Sequence, residues 1–291
     1  MKYRHSFHAG NFADVHKHVT LRALLRALQR KDKGFLYLDT HAGAGRYDLS
    51  AADTHRGAEA RHGIVRLLQQ ASAVQAEEVQ DYLRGVIALR EVEGVAGAAL
   101  YPGSPLLAAQ ALRPQDRGVC YEILPPECRA LERALGGMRR MRVECADGYK
   151  GLNAQLPPRE RRALVLIDPP YEDGAEFDAA LSAAGAALAR LGNAVIAIWY
   201  PIKDERTLSV ALARAAAKIA APLLCSELWV YPRDSRVGLN GSVLLIAHPP
   251  YQFDERMRVW LPELAQALDG ERRGGSAQTW LVAPNGEARQ A

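Results

Sequence analysis

The sequence lacks the features that mark secreted and membrane proteins. Its four cysteines are Cys120, Cys128, Cys145 and Cys225. No two of them stand in a CxxC pair, which argues against a zinc ribbon and a disulfide framework and favours a reducing compartment. The N-terminus has no apolar core of a signal peptide, and no run approaches the roughly 20 apolar residues that a membrane helix needs. We therefore expect a soluble, cytoplasmic protein without a membrane partner.

A strong excess of charge is also absent. The chain has 37 Lys+Arg against 33 Asp+Glu, a net charge of +4. This balance permits a nucleic-acid partner without requiring one, because binding depends on where basic residues cluster. The basic clusters are Arg139–Arg142, Arg159–Arg162 and Arg233–Arg236. They are candidates for RNA contact, although such runs are ordinarily solvated faces.

The sequence does contain a series of short aliphatic runs, each closed by turn or acidic residues. They are Phe35–Thr40, Val119–Leu124, Met141–Cys145, Leu164–Asp168, Ala194–Tyr200, Glu227–Tyr231 and Ser242–Ala247. Segments with helical spacing, such as Phe177–Leu191 and Leu208–Ala221, lie between most of them. Apolar strands that alternate with helices predict a parallel sheet covered on both faces. The predicted fold is a doubly wound, Rossmann-like α/β domain over residues 1–291, with ligands at the carboxyl ends of its strands.

The connection after the first predicted strand is too long for a single crossover. Residues Tyr47–Leu112 separate the first two strands, and within them Ile64–Gln70 and Ala76–Val92 have the spacing of amphipathic helices. We therefore predict a small helical insertion within the domain, at residues 51–100.

Three successive predicted strands end near an acidic residue, namely Asp39, Glu122 and Asp147. After the first strand, LDTHAGAGRY places Gly43 and Gly45 where a tight turn can approach a ligand. This G-x-G is a weak signal by itself, because the third glycine of the dinucleotide fingerprint is missing. A carboxylate such as Glu122 commonly accepts hydrogen bonds from ribose hydroxyls, although it can also be a solvated strand end. Together, the three carboxylates favour a ligand with several donors, such as a ribose and an adenine amine.

The fourth predicted strand ends in Asp168-Pro169-Pro170-Tyr171. Two prolines remove two backbone donors, so that the turn offers acceptors beside an aromatic ring. This suits a planar exocyclic amine, whose hydrogens would bond to the Asp168 carboxylate and the Pro169 carbonyl while Tyr171 stacks on the ring. Such bonds would direct the amine lone pair toward an electrophile, the methyl group of S-adenosylmethionine, without a metal. The alternative is a rigid turn that ends a strand.

A second Pro-Pro-Tyr occurs in His248-Pro249-Pro250-Tyr251. A protonated histidine only donates hydrogen bonds and would repel a sulfonium. This turn follows the last strand predicted for the main sheet, whereas a cofactor site is expected beside the first strand. We interpret it as a rigid turn.

Four stretches together resemble the bacterial RlmJ family. They are YRHSFHAGNFADVHKH (Tyr3–His18), LDTHAGAGRYDL (Leu38–Leu49), YPGSP (Tyr101–Pro105) and LIDPPYE (Leu166–Glu172). The DPPY motif alone is similar to that of adenine-N6 and cytosine-N4 amino-methyltransferases. The resemblance implies an S-adenosylmethionine-dependent methyltransferase fold and in-line methylation of the N6 amine of an unstacked adenosine in 23S ribosomal RNA.

The resemblance also implies roles for single residues. Asp168 would accept the proton of the target amine, and Tyr3 would contact the RNA. The implied cofactor-binding residues, beside the loop glycines Gly43 and Gly45 and Asp168 itself, are His18, His41, Ser104, Glu122, Asp147 and Gly148. The residues themselves give His18 and His41 no assignable chemistry.

Two further interpretations concern the helix at Ser104 and the N-terminal segment. Ser104-Pro105 has the pattern of an N-cap followed by proline, and that helix N-terminus would favour the cofactor carboxylate. Arg4 and Lys17, with the neighbouring histidines, form a candidate basic lip for RNA. The N-terminal histidines are His5, His8, His16 and His18. Because no cysteine accompanies them, hydrogen bonding or phosphate contact is favoured over zinc, and we expect no metal.

The implied partner is protein-free or early-assembly 23S ribosomal RNA, bound by a monomer. RRM and KH signatures are absent from the sequence. Two alternatives stay open: a DNA adenine or cytosine methyltransferase with the same chemistry, and a non-catalytic nucleic-acid-binding protein on the same fold. A NAD-dependent oxidoreductase is disfavoured by the missing third glycine.

Overall fold

The chain is built around an eight-stranded sheet in the computed structural model, which describes residues 8–50, 59–92, 94, 99–235 and 237–284. The strands are β1 (Leu36–Asp39), β2 (Arg46–Asp48), β3 (Leu100–Pro102), β4 (Arg117–Tyr121), β5 (Met141–Glu144), β6 (Ala163–Ile167), β7 (Val195–Ile202), β8 (Leu223–Trp229), β9 (Gly241–Ala247) and β10 (Gly275–Val282). The helices are α1 (Phe12–Gln29), α2 (Arg66–Gln69), α3 (Glu77–Val92), α4 (Ser104–Ala111), α5 (Pro125–Ala134), α6 (Gly148–Gln155), α7 (Glu176–Arg190), α8 (Glu205–Lys218) and α9 (Phe253–Leu268). A π-helical turn, Arg61–Val65, leads into α2.

Strand order in the large sheet is β10-β8-β9-β7-β6-β1-β4-β5. From β5 to β7 all neighbouring strands are parallel. Strand β9 is antiparallel to both β7 and β8, and β10 is antiparallel to β8. The predicted α/β class is confirmed, but one side of the sheet is antiparallel where the sequence predicted a parallel sheet.

Alternate side chains of β6 enter two different cores. Leu164 and Leu166 pack in the core that contains α1 and α9, whereas Val165 and Ile167 pack in the core that contains α7 and α8. Because both faces of the strand are covered, all five of its residues are buried. This explains the continuous apolar run in the sequence.

Helices α2 and α3 occupy the long connection where the sequence predicted two helices. Strands β2 and β3 pair antiparallel where this connection leaves and rejoins the domain, with Tyr47 opposite Tyr101. The π-helical turn packs on the start of α1, since Ile64 N–H donates to Gly10 O at 2.8 Å. A Cβ on Gly63 would lie 2.0 Å from the same oxygen. The proposed 51–100 boundaries stay a prediction, and residues 51–58, 93 and 95–98 lie outside the described chain.

The cysteines differ from the sequence-based expectation. Cys128 of α5 and Cys145, which follows β5, form a disulfide with their Cα atoms 5.7 Å apart. Cys120 and Cys225 are buried free thiols. The paired residues are 17 positions apart, and only the packing of α5 beside β5 brings them together.

The described residues include one cluster of side chains of the types that bind metals. This cluster consists of Cys128, Glu132 and Cys145, and its two cysteine sulfurs are bonded to each other in the disulfide. None of the described helices is both long and apolar enough to cross a membrane.

Candidate active site

The carboxyl ends of β1 and β6 lie side by side at the point where the strand order reverses. From β1 the chain proceeds outward to β4 and β5, and it then returns to β6 on the other side of β1. Open α/β sheets bind ligands at this switch point. The four predicted carboxylates, Asp39, Glu122, Asp147 and Asp168, therefore lie at one edge of the sheet, as the sequence indicated.

A buried lysine from α1 holds Asp168. Lys17 Nζ lies 2.5 Å from Asp168 Oδ2 and 2.7 Å from Asp14 Oδ1. Burial disfavours the ammonium, but the two carboxylates outweigh that cost and raise the pKa of Lys17. The sequence predicted that Lys17 lies on an exposed basic lip. Lys17 is only 3% exposed, so that prediction is wrong. Packing of α1 on β6 and β7 directs it to the candidate catalytic carboxylate instead.

A cavity of about 400 Å³ opens beside Asp168. Its walls come from the Asp168 turn, the end of β7, the start of α1 and the loop between β8 and β9. The lining includes Pro170, Tyr171, Trp199, Lys203, Glu59 and Leu239. Ile167 pairs with Ile198, so Asp168, just after β6, lies level with Trp199 of β7. The volume falls within the usual range of small-ligand pockets.

A larger groove of about 1000 Å³ lies between α2 and the loop after α9. It contains none of the site residues predicted from the sequence. Convergent polar groups locate a site better than volume does, and they converge in the cavity beside Asp168.

Tyr171 is anchored at both ends of its side chain. Its backbone is left-handed, with φ of 53°, a conformation that costs a non-glycine residue roughly 1–2 kcal/mol. Its hydroxyl donates to Trp199 O, and its ring lies 5.6 Å from the Trp199 ring. Pro169 is buried beside Asp168. The Tyr171 ring forms part of the cavity wall. Its stacking on a target base stays a prediction.

The loop after β1 is fastened to the end of β4 by Glu122. Its two carboxylate oxygens accept from Gly43 N–H at 2.9 Å and from Leu124 N–H at 2.8 Å. Burial raises the pKa of Glu122, although these two bonds oppose the shift. Gly43 and Gly45 both have positive φ, and a Cβ on Gly45 would lie 2.7 Å from Leu131. The turn thus requires glycine, as the sequence indicated.

Asp147 caps α6, and the next residue, Gly148, packs closely against the loop after β1. Its Oδ1 accepts from Tyr149 N–H at 2.9 Å and from Lys150 N–H at 3.3 Å. A Cβ on Gly148 would lie 2.0 Å from Thr40 O, so no larger residue fits there. The loops that carry Gly43, Glu122 and Asp147 thus border one region.

Ser104 begins α4 but does not cap it, contrary to the sequence-based expectation. Gly103 is the N-cap. Ser104 Oγ donates to Asp39 Oδ2 at 2.7 Å, and Tyr37 OH donates to the same oxygen at 2.7 Å. Burial raises the pKa of Asp39, although both bonds oppose the shift. Ser104 therefore ties the start of α4 to the end of β1.

The two histidines implied by the resemblance have different surroundings. His41 lies on the loop after β1, with its Nδ1 2.8 Å from Thr40 Oγ1 and its ring edge-on to Tyr149 at 5.0 Å. His18 is 1% exposed, and its Nδ1 lies 2.8 Å from the Tyr101 hydroxyl. His41 therefore borders the loops expected to hold a cofactor, whereas His18 is enclosed in the core. The cofactor roles of both stay predictions.

The N-terminal histidines have separate partners. His8 contacts Glu59, His16 contacts Ser226 and Ser242, and His18 contacts Tyr101. Tyr3, Arg4 and His5 lie outside the described residues, so the RNA contacts expected of Tyr3 and Arg4 stay predictions.

The basic clusters lie mostly away from the cavity. Arg139–Arg142 and Arg159–Arg162 precede or begin β5 and β6, at the amino edge of the parallel strands. Arg233 lies at the carboxyl edge, where it pairs with Glu205 and Glu227 and stacks 4.1 Å over the Trp229 ring. Arg236 lies outside the described residues.

The sequence did not single out several residues that line this site. Asp14, Glu59, Trp199 and Leu239 belong to different elements that only the fold assembles. One signal was present for Trp199, because an aromatic residue at the carboxyl end of a strand beside β6 must face the same edge as Asp168.

Comparison with known proteins decides the family. A family model described as "RsmJ: Ribosomal RNA large subunit methyltransferase D, RlmJ" matches residues 32–282. The chain belongs to the RlmJ family. This confirms the resemblance inferred from its motifs.

Relatives in the RlmJ family match nearly the whole chain. The "Ribosomal RNA large subunit methyltransferase J" of Haemophilus influenzae is 36% identical over 97% of this chain and 99% of its own length. The protein of that name from Escherichia coli is 37% identical over the same shares. The crystal structure of protein LPL1258 from Legionella pneumophila, 30% identical, has a TM-score of 0.81 and covers 94% of this chain and 97% of its own.

Proposed function

We propose that the protein transfers a methyl group from S-adenosylmethionine to the N6 amine of an adenosine in 23S ribosomal RNA. The observation that carries the proposal is the Asp168 turn, which opens from the switch point into a cavity with an aromatic wall. Family membership supports the same reaction, since the relatives are named as large-subunit ribosomal RNA methyltransferases.

The residues around the switch point suit S-adenosylmethionine. Glu122 is a buried acceptor for ribose hydroxyls, and the capping carboxylate of Asp147 suits an adenine amine. His41 borders the same loops, and the glycines after β1 allow close approach of the backbone. When bound, the cofactor supplies a methyl group activated by a positive sulfonium.

Asp168 and its turn hold the target amine. The carboxylate of Asp168 and the carbonyl of Pro169 accept its two hydrogens, and Tyr171 with Trp199 encloses the base. The amine nitrogen held in this way would accept the methyl group that bound S-adenosylmethionine would supply. The surplus proton on nitrogen passes to Asp168 and then to solvent. Lys17 donates to Asp168 Oδ2 and holds the carboxylate in place.

The target adenosine must leave its base stack to reach this site. Asp168 is 6% exposed and faces a cavity, which a stacked base does not enter. Extrusion costs least in single-stranded or loosely paired RNA. We therefore propose that a monomer acts on protein-free or early-assembly RNA.

Methyl transfer from tritiated S-adenosylmethionine tests the function. The substrates are protein-free large-subunit RNA from cells that lack the enzyme, intact subunits and duplex DNA, followed by nucleoside digestion. We expect label in N6-methyladenosine from the protein-free RNA. Label in DNA alone would overturn the substrate, and cofactor binding without any transfer would favour a non-catalytic binding protein.

A further inference from the structure

A buried chain of hydrogen bonds leads from the cavity to helix α1. Trp199, in the cavity wall, donates from Nε1 to Ser242 Oγ at 2.8 Å. His16 Nδ1 lies 3.1 Å from the same hydroxyl, and His16 Nε2 lies 2.9 Å from Ser226 Oγ. His16, Ser226 and Ser242 are all 0% exposed. Three strands and one helix thus meet in a single polar chain inside an apolar core.

We propose that Ser242, anchored by His16, is a positioning residue that fixes the Trp199 indole as one wall of the pocket for the target base. This inference rests on the proposed function, in which the cavity beside Asp168 receives that base. It also assigns a role to His16, one of the N-terminal histidines.

The donor and acceptor capacities of Trp199, Ser242 and His16 fix the direction of each hydrogen bond in this series. The Trp199 indole can only donate, so Ser242 accepts from it and has its own hydrogen to give. Burial lowers the pKa of His16 to about 3, so its ring is neutral and offers one acceptor and one donor. We assign Ser242 O–H as donor to Nδ1 and Nε2–H as donor to Ser226 Oγ. Each link between Trp199 and Ser226 then joins one donor to one acceptor, and Ser242 Oγ also lies 3.5 Å from Ala13 O.

Two attachments hold Trp199 in one orientation. The indole is bonded to Ser242, while its backbone carbonyl accepts from the Tyr171 hydroxyl. Rotation of the ring would break the hydrogen bond between the indole N–H and the buried Ser242 hydroxyl, a loss that burial makes costly. The aromatic wall is therefore in place before the base arrives, so that less ordering is left for the binding step.

The alternative is that the chain only ties α1 to the sheet. A double-mutant cycle separates the two roles, because a residue that acts through Trp199 loses its effect once the indole N–H is gone. The cycle uses wild type, Ser242→Ala, Trp199→Phe and the double variant. Methyl transfer to protein-free large-subunit RNA gives kcat/KM, and calorimetry gives the affinity for S-adenosylmethionine.

We expect Ser242→Ala to lower kcat/KM for RNA about tenfold, the order of one lost hydrogen bond, with unchanged cofactor affinity. In the Trp199→Phe background the same change should cost no more than about twofold. Losses that multiply in the double variant would overturn the proposal, as would full activity of Ser242→Ala.

His16→Gln is a second probe in case Ser242→Ala folds poorly. We expect a loss of about threefold, an amount typical of a weakened hydrogen bond, which should disappear in the Trp199→Phe background. Ser209→Ala is the matched control, since Ser209 is exposed on α8 and bonds within its own helix. Inactivity of the wild-type protein would refute the proposed function, whereas an active wild type with multiplying losses would refute only the positioning role.

Discussion

Two turns with nearly identical sequences lie at opposite edges of the sheet. Asp168-Pro-Pro-Tyr follows β6, which is parallel to β1, and so leaves the sheet at the edge where ligands bind. His248-Pro-Pro-Tyr follows β9, which is antiparallel to β7, with Ala247 opposite Ile196 near the start of that strand. It therefore lies at the opposite edge. Strand direction, and not the motif alone, makes one turn a candidate active site.

The local environments of the two turns differ accordingly. Tyr171 packs against Trp199 and is bonded to its carbonyl, whereas Tyr251 is 83% exposed. In the second turn His248 and Gln252 are the left-handed residues, and Gln252 leads into α9. The second turn starts a helix. The expectation that His248 belongs to a structural turn agrees with this geometry.

The largest effect is expected at the first turn. Asp168→Ala removes the acceptor for the target amine and should lower kcat about a hundredfold to a thousandfold, the loss that commonly follows removal of one positioned group. The fold and much of the RNA binding, measured by circular dichroism and filter binding, should persist. Comparable methyl transfer by the variant would refute the mechanism.

The second largest effect is expected from Lys17, which forms an ion pair with Asp168 in the first turn. Lys17→Met leaves Asp14 and Asp168 buried without their cation, and we expect the free energy of unfolding to fall by about 3–5 kcal/mol. Denaturant titration measures it. Lys203→Met is the control, because Lys203 borders the same cavity but is exposed. An equal loss in both variants would contradict the proposed ion-pair contribution.

A variant of Glu122 tests whether the cofactor binds at the same edge of the sheet as the Asp168 turn. Glu122→Ala should weaken S-adenosylmethionine binding about tenfold to a hundredfold, the range of a hydrogen bond to a charged group. Glu132→Ala, exposed on the neighbouring α5, should bind normally. Isothermal titration decides, and unchanged affinity in Glu122→Ala would exclude the ribose contact.

The histidines beside the two turns should respond oppositely to pH. The hydrogen bond to Glu59 raises the pKa of His8 above 6.5 despite burial, whereas burial lowers that of His248. Protonated His8 therefore stabilises the fold below about pH 6.5, and this contribution is lost as pH rises through the raised folded-state pKa.

His8→Ala should therefore lower the free energy of unfolding at about pH 6 by less than about 1 kcal/mol, because the pair is partly exposed and screened. Unfolding titrations of both proteins across pH should show the difference shrinking as the solution becomes alkaline. A difference that grows with pH would contradict the assignment.

The smallest effect is expected from His248→Asp, which copies the first motif into the second turn. Aspartate tolerates the left-handed backbone there, yet the turn faces the wrong edge. We expect kcat within about twofold of wild type, as for a surface substitution. In the Asp168→Ala background the change should restore nothing. Recovered methyl transfer would show that the motif suffices without its place in the sheet.

Much of the candidate site was predictable because its signals are local. The apolar run before Asp168, the prolines after it and the glycines at 43 and 45 each determine a short piece of backbone. The alternation of strands and helices then places Asp39, Glu122 and Asp147 at one edge. These residues predicted the fold class and the chemistry of the Asp168 turn.

Tertiary structure alone decided the contacts between distant segments. Lys17 meets Asp168 across 151 positions, and His16 meets Ser242 across 226. The antiparallel direction of β9 and the Cys128–Cys145 disulfide likewise depend on which elements pack together. A local pattern records that a side chain is apolar or charged, but not which distant partner it meets. That choice follows from the burial of whole faces of helices and strands, so it exists only in the folded chain.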